Sequence, residues 1–354
     1  MTAYRMLNRA VAGVRNVGAT TKPVSERRVY CAVKSNKHVG LLKQAADHVV
    51  EAGHKVVFID LSSTRRDGGA VDTGLLQGHD IGDLETLGQA ATAGDVVLTP
   101  IDWGGGPYKH VLSKCQRAGA TLVGMVEAGR FEARQYQRVD MVLVWGPSGA
   151  KVWPQPTIMT GSPAFENSLA FKGRPKKDTT QLVVNYKFQP FETDTDFAWA
   201  NSMRKAAQII DPSFVVSVHP SVKSIPDWMV RSERSIDELL AESHVIITRS
   251  STVVHQAMAL DTQVILFTTP DENLAEFADI GDAAAVARNE AELLAIAERY
   301  KADGELRGLN PKSFLDWHFS IDPERSAHER IASTVIDVLH HGRKAPGLST
   351  TSGG

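Results

Sequence analysis

The stretch His244–Phe267, HVIITRSSTVVHQAMALDTQVILF, decides how the rest of the chain is read. Val245 to Ile247 form a short apolar strand, Thr248-Arg249-Ser250-Ser251-Thr252 a polar turn, Val253 to Leu260 a helix, and Val264 to Phe267 a second strand. The turn gathers hydroxyls and free backbone N–H groups at a helix start, where the aligned peptide dipoles favour an anion. Ser and Thr are also ordinary N-caps, so Ser251 or Thr252 closing the helix end is the simpler alternative.

Outward from this unit the same alternation recurs. Toward the N-terminus, strands at Val29 to Val33, Lys55 to Leu61, Asp95 to Ile101, Thr121 to Val126 and Met141 to Val144 are separated by helices at Val39 to Ala52, Asp83 to Ala91 and Pro107 to Ala118. Around the opening stretch come strands Gln181 to Tyr186 and Phe214 to His219 with helices Thr195 to Ile210 and Ser235 to Ala241. Beyond it lie a strand near Ala284 to Ala287, a helix Glu290 to Tyr300, and a last helix Pro323 to Leu339, with Asp322 and Pro323 as N-cap and N1. Strands alternating with helices imply parallel sheets covered on both faces.

The fold class expected is therefore α/β, with two Rossmann-like domains and a cleft between them. The boundaries read as a basic N-terminal extension 1–27, a first domain 28–150, a Pro-, Gly- and Lys-rich linker 151–177, a second domain 178–341 and a disordered tail 342–354. Residues 1 to 28 carry six Lys or Arg against one acidic residue, which fits either a weak amphipathic helix on an anionic membrane or a packed extension.

Composition narrows the function classes. A formal net charge of -2 gives no global reason to expect nucleic acid as a partner. Two cysteines far apart, Cys31 and Cys115, exclude a disulfide framework and a zinc cluster and suit a reducing cytoplasm. No apolar run approaches the roughly 20 residues that cross a bilayer, and no cleavable secretory signal is visible, so a cytoplasmic location is expected, at the inner face of the membrane if the basic end touches it.

Four loops end strands of the second domain: Asn185-Tyr186-Lys187-Phe188, His219-Pro220-Ser221, Arg249-Ser250-Ser251-Thr252 and Thr268-Thr269-Pro270-Asp271. They offer cations, an imidazole and several hydroxyls, an inventory suited to a diphosphate or a nucleoside monophosphate. Pro220 ends its strand and fixes His219 at the edge.

These motifs carry a resemblance. HPS at 219 to 221 and ELLAESHVIITRSSTVVHQAMALDTQVILF at 238 to 267 resemble the second domain of GT-B glycosyltransferases of bacterial surface and capsular polysaccharide synthesis, including the glycerophosphate polymerases of teichoic acid. MVLVWGPSGAKVW at 141 to 153 and IMTGSPAFENSL at 158 to 169 resemble the same group's exit from the first domain. The resemblance covers roughly residues 95 to 270. It implies a transferase that moves a sugar, or a sugar or polyol phosphate, from a nucleotide-activated donor to a glycan or glycolipid acceptor, inverting and without a metal.

On that resemblance His219 contacts the donor phosphate, and Ser250, Ser251 and Thr252 hold the phosphate or nucleotide, with Tyr186, Lys187, Pro220 and Arg249 beside them. Gln256 stands where the group often has a ribose-binding Glu, and Ala164 where Arg is common, departures that leave the donor open. The acceptor's base is expected in the first domain: Asp102, followed by Trp103-Gly104-Gly105-Gly106, or Glu127. Asp102 serves equally well as the cap of the following helix. His38 is a third candidate base or an acceptor contact, while His110, within a helix, reads as structural. Asp194-Thr195-Asp196 matches a metal motif in letters but sits at a helix start, where capping explains it, so no metal and no cofactor beyond the donor substrate are expected. The alternatives are a UDP-N-acetylglucosamine 2-epimerase-like enzyme, which typically has Ser-Gly-Gly at this turn, and a non-catalytic nucleotide-binding subunit of a polysaccharide assembly.

Overall fold

The computed structural model describes residues 22–64, 70–100, 106–126, 138–153, 155–176, 182–186, 197–218, 222, 225–268, 277 and 279–342. In chain order these form β1 (Arg28–Val33), α1 (Asn36–Glu51), β2 (Lys55–Asp60), β3 (Asp80–Asp83), α2 (Leu84–Ala90), β4 (Val96–Thr99), α3 (Gly106–Arg117), β5 (Thr121–Met125), β6 (Met141–Val144), α4 (Pro147–Val152), β7 (Thr157–Met159) and α5 (Pro163–Leu169). There follow β8 (Leu182–Tyr186), α6 (Ala198–Ile210), β9 (Val215–Val218), α7 (Ile236–Glu242), β10 (Val245–Thr248), α8 (Val253–Ala259), β11 (Gln263–Phe267), β12 (Ala285–Ala287), α9 (Glu290–Asp303), α10 (Pro311–His318) and α11 (Ala327–His341).

The chain divides into two compact units, the first taking the described residues up to 126, 138–164 and 319–342, the second those from 165 to 318. Unit 1 is a seven-stranded parallel sheet in the order β3-β2-β1-β4-β5-β6-β7. Its order reverses between β1 and β4, so the loops leaving those two strands diverge to opposite faces and open a crevice at the carboxyl edge. Apolar residues of α1 recur at helical spacing, Val39, Leu42, Ala45, Ala46 and Val49. They are buried in one core with Ile331, Ala332, Val335, Val338 and Leu339 of α11. Fully burying a Leu such as Leu42 contributes about 2 kcal/mol.

Unit 2 is a five-stranded parallel sheet in the order β12-β11-β10-β8-β9, and its order reverses between β8 and β10. β10, buried along its whole length, lies at that reversal. α6 and α9 cover one face and α7 and α8 the other. The connector after α5 is tied down by Lys176, whose Nζ donates to the carbonyls of Ser243 and Leu260, just past the ends of α7 and α8, and to Thr262 Oγ1.

Three expectations change. The crossing out of unit 1 falls at 164/165, inside α5, and a second crossing returns at 318/319, so α11 belongs to unit 1 and not to a domain 178–341. Helical spacing reveals an apolar stripe but not the sheet it covers. The last helix is not capped by Asp322. Ser326 and Glu329 form a reciprocal capping box one turn later, while Asp322 accepts from Glu324 N and Arg325 N at 2.9 and 3.2 Å. Within the stretch read as linker lie β7, α5 and the end of α4, elements too short for periodicity to mark.

Candidate functional site

The carboxyl end of β10 delivers the chain to the reversal point of the second sheet, and the three residues that follow are packed inward. Arg249 is 1% exposed, Ser250 4% and Ser251 5%. The Arg249 guanidinium lies over the Trp199 ring of α6, 4.6 Å from its centroid, an arrangement in which the ring face meets the cation. Thr248 Oγ1 donates to the Arg249 carbonyl at 3.0 Å, which fixes where the turn begins.

Capping uses little of this turn. Thr252, at the N-cap position, has φ −55 and ψ −20 and makes no side-chain cap bond, and Ser251 Oγ accepts from Val253 N only at 3.4 Å. The first helical bonds run to the Ser251 and Thr252 carbonyls from Val254 N and His255 N. The backbone N–H groups of Ser250, Ser251 and Thr252, and the hydroxyls of Ser250 and Thr252, donate to no group among the described residues. Unpaired donors on buried residues are rare, and successive N–H groups around a concave turn form an anion-binding nest.

The helix behind the turn is held by side chains that the sequence reading passed over. His255 is buried, stacked on Phe314 at 5.4 Å and 9° and flanked by Phe277 and His318. Burial, aided by His318, pushes its imidazole down to about 3, so it is neutral at ordinary pH. His318, lowered by burial against the pull of Asp279, sits 3.1 Å from that carboxylate. Gln256, one helical turn past Thr252, donates through Nε2 to Asp237 Oδ1 at 2.9 Å and to Ser168 Oγ at 3.1 Å. Trp199 and Asp237 carried no motif, and Ser168 lies in the 158–169 motif without having been singled out; only the fold brings them to this edge.

In unit 1 the reversal point holds His38, 5% exposed in the first turn of α1. Its Nδ1 accepts from Lys34 N at 3.1 Å, which places the proton of the neutral ring on Nε2. Asn36 Oδ1 accepts from Asp72 N at 2.8 Å. At the start of α3, Tyr108 donates to Oγ1 of Thr99, the last residue of β4, at 2.6 Å. Asp102, Trp103, Gly104 and Gly105 follow β4 in the sequence and Glu127 follows β5; all lie outside the described residues, as do His219 and Pro220 after β9 and Lys187 after β8. Tyr186 is the last residue of β8 and pairs with Val218 of β9.

The Thr160-Gly161-Ser162-Pro163 segment is a packed joint of unit 1. Gly161 has φ +77, and a Cβ there would stand 2.7 Å from the Ser320 carbonyl oxygen, which also accepts from Arg330 Nη2 at 2.9 Å. Ser320 N in turn donates to the Trp145 carbonyl at 2.7 Å, and Trp145 stacks on Phe319. Among the described residues no group of three or more His, Cys, Asp or Glu is placed to hold a metal, and no helix is long and apolar enough to cross a membrane.

No family model and no curated protein sequence matches this chain. Solved structures do. A UDP-N-acetylglucosamine 2-epimerase aligns with a TM-score of 0.56 at 12% identity over 94% of this chain and 100% of its own. A protein assigned as the same epimerase from Listeria monocytogenes gives 0.55 at 11% over 88% and 95%. The wall teichoic acid polymerase TagF gives 0.54 at 10% over 97% and 95%. At such identities the likeness speaks for the fold alone. That fold is GT-B, two Rossmann-like units in one chain.

Proposed function

We propose that the chain is a GT-B glycosyltransferase that moves a sugar, or a sugar or polyol phosphate, from a nucleotide-activated donor to a cell-surface polysaccharide or glycolipid acceptor. The observation that carries the reading is the set of open donors at Ser250 and Ser251, both buried, and at half-buried Thr252, beside the reversal point of the unit 2 sheet. In open α/β sheets ligands bind at such points, and a diphosphate satisfies consecutive N–H and O–H donors. Lys187, which follows β8 in the sequence, and His219 and Pro220, which follow β9, complete the donor site in this reading with Tyr186, Arg249 and Gln256.

In the transfer, a unit 1 carboxylate, Asp102 or Glu127, takes the acceptor hydroxyl's proton. The freed oxygen attacks the donor and displaces the nucleotide, whose growing charge the 250–252 donors and His219 stabilise. Inversion follows from a single displacement. His38, Trp103, Gly104 and Gly105 position the acceptor, and residues 1–20 bring the enzyme to the inner membrane surface. No metal step is required, since the donors already supply positive potential to the diphosphate.

The experiment is a donor and acceptor panel with wild type, Asp102→Asn and His219→Ala, separating transfer, donor hydrolysis and interconversion. Transfer lost in both variants supports the reading. Interconversion of free nucleotide-sugars by wild type selects the epimerase alternative, which the two similar epimerase structures keep in view. Nucleotide binding without turnover selects the non-catalytic subunit.

A further inference from the structure

α8 begins at the open donors, and capping holds it only slightly there, since Thr252 makes no side-chain cap bond. A helix of seven residues makes few bonds of its own, so packing and the grip on its other end set its position. That other end is closed twice over. Asp261 stands at φ +56, and Thr262 N and Asp261 N donate back to the Ala257 and Met258 carbonyls at 2.8 and 3.2 Å, the paired bonds of a Schellman turn made without the usual glycine. Lys176 then binds across it. Its Nζ donates to the Leu260 carbonyl at 3.3 Å, to Thr262 Oγ1 at 3.1 Å and to the Ser243 carbonyl at the end of α7. Thr262 Oγ1 donates onward to the Leu240 carbonyl of α7 at 2.7 Å. An ammonium has three hydrogens, and all three go to the ends of two helices, where the carbonyl dipoles favour a cation. Burial pulls Lys176 down to about 8 against the pull of Asp261, so it is still charged at neutral pH. Burial and then Lys176 hold the adjoining His244 below its ordinary value, so this corner carries no second cation from that ring.

We infer that Lys176 is a positioning residue for the 250–252 turn: from the connector after α5 it pins the C-terminal ends of α7 and α8 together, and so fixes the helix that presents the open donors. The inference rests on the anion reading of that turn, and it gives a task to a side chain that never meets the ligand. α7 and α8 lead into β10 and β11, so their last residues lie at the amino edge of the sheet, while the first residues of α8 lie at the carboxyl edge. Seven residues span roughly 10 Å, too short a rod to bend. His255 and Gln256 pack its middle, and a tilt at Leu260 is passed to Ser251 and Thr252, whose hydrogen bonds to an anion weaken steeply with misalignment. Lys172 also reaches this corner, on Asp261 Oδ1 at 3.1 Å, but both partners are exposed and the pair adds little.

The test measures inorganic pyrophosphate affinity and amide exchange on the full-length protein. Lys176→Met is expected to weaken pyrophosphate about fivefold, the scale of a coupling carried through packed elements, and to speed exchange of the Leu260, Asp261 and Thr262 amides. Lys176→Arg keeps the charge and enough donors, and should return both toward wild type. Asp261→Gly puts the favoured residue at the left-handed position, so in the Lys176→Met background it should recover most of the lost affinity without restoring a cation. Asp261→Ala removes the same carboxylate but keeps the strain, and should recover none. Faster exchange at the helix end with pyrophosphate affinity unchanged makes Lys176 a staple of the fold alone and overturns the inference. A loss that Lys176→Arg repairs and Asp261→Gly does not is an effect of charge at a distance, and overturns it too. If Lys176→Met fails to fold, Asp261→Gly in the otherwise native chain decides: slower exchange with tighter pyrophosphate binding supports the inference, slower exchange with unchanged binding overturns it. Failure of wild type to bind pyrophosphate overturns the anion reading, and this inference with it.

Discussion

Each unit sends its chain out of a strand through a serine turn at the sheet's reversal point, and the two turns treat their polar groups in opposite ways. After β1, the fold uses what the sequence provides: His38 Nδ1 takes the Lys34 N–H and Asn36 Oδ1 takes the Asp72 N–H. After β10, three consecutive N–H groups and two hydroxyls on packed residues are left without a described partner. A polar residue at a strand end is therefore not evidence of a ligand until its hydrogen bonds have been accounted for. The first turn looks like structure with a binding residue attached, the second like binding equipment that the fold does not need.

Removing the unused hydroxyls is the sharpest way to break this contrast. Ser250→Ala with Thr252→Val should lower pyrophosphate affinity about a hundredfold, because each bond to a charged acceptor contributes roughly 1.5–3 kcal/mol, while the melting temperature of the unliganded protein holds. Calorimetric titration with parallel thermal scans reads both, and a large fall in melting temperature with affinity intact would reverse the assignment.

Acid tests the two units separately, since each holds a buried histidine whose imidazole is pushed far down. His255 in unit 2 is pushed down to about 3, and His328 in unit 1 to about 4, chiefly by burial and then by His48 against the pull of Asp47. Both folded values lie below the unfolded one, so the folded state binds fewer protons and stability falls as pH drops below the unfolded value near 6.5. By pH 5 the loss is about 2 kcal/mol for each ring. His255→Phe, at home among Phe277 and Phe314, should flatten the pH dependence of unit 2 amide exchange and leave that of unit 1 unchanged.

Gly161→Ala should destabilise unit 1 by about 1–2 kcal/mol, through its left-handed φ and the nearby Ser320 carbonyl, with nucleotide affinity unaffected in denaturant and binding assays. The smallest effect is expected for His38→Ala, about 1 kcal/mol from the orphaned Lys34 N–H. Pyrophosphate binding should be untouched; a fall in it would erase the difference between the two turns.

Much of the fold was legible because Val, Ile and Leu runs such as Val245–Ile247 alternate with helical stripes such as Val39–Val49, and only parallel sheets place both kinds of element so regularly. The SST turn was legible as a polar break between a strand and a helix. That its donors are open was not, because Ser251 and Thr252 make equally good caps on paper. Asp237 and Trp199 were invisible for another reason: they lie 19 and 57 positions from Gln256, and only tertiary packing brings the first to its amide and the second to the neighbouring guanidinium. The β7 and α4 elements were lost to the Pro- and Gly-rich composition of 146–163, which looks like linker whether or not it is packed.

The return of the chain to unit 1 at 318/319 also sets an order of events during synthesis. Unit 2, though second in the sequence, has all its strands available before α11 leaves the ribosome. Unit 1 must wait with the α1 face of its sheet uncovered until the last helix arrives to close it. A nascent chain stalled near residue 318 should accordingly present a finished second half and a sticky, unfinished first half, the state in which a chaperone would be needed most.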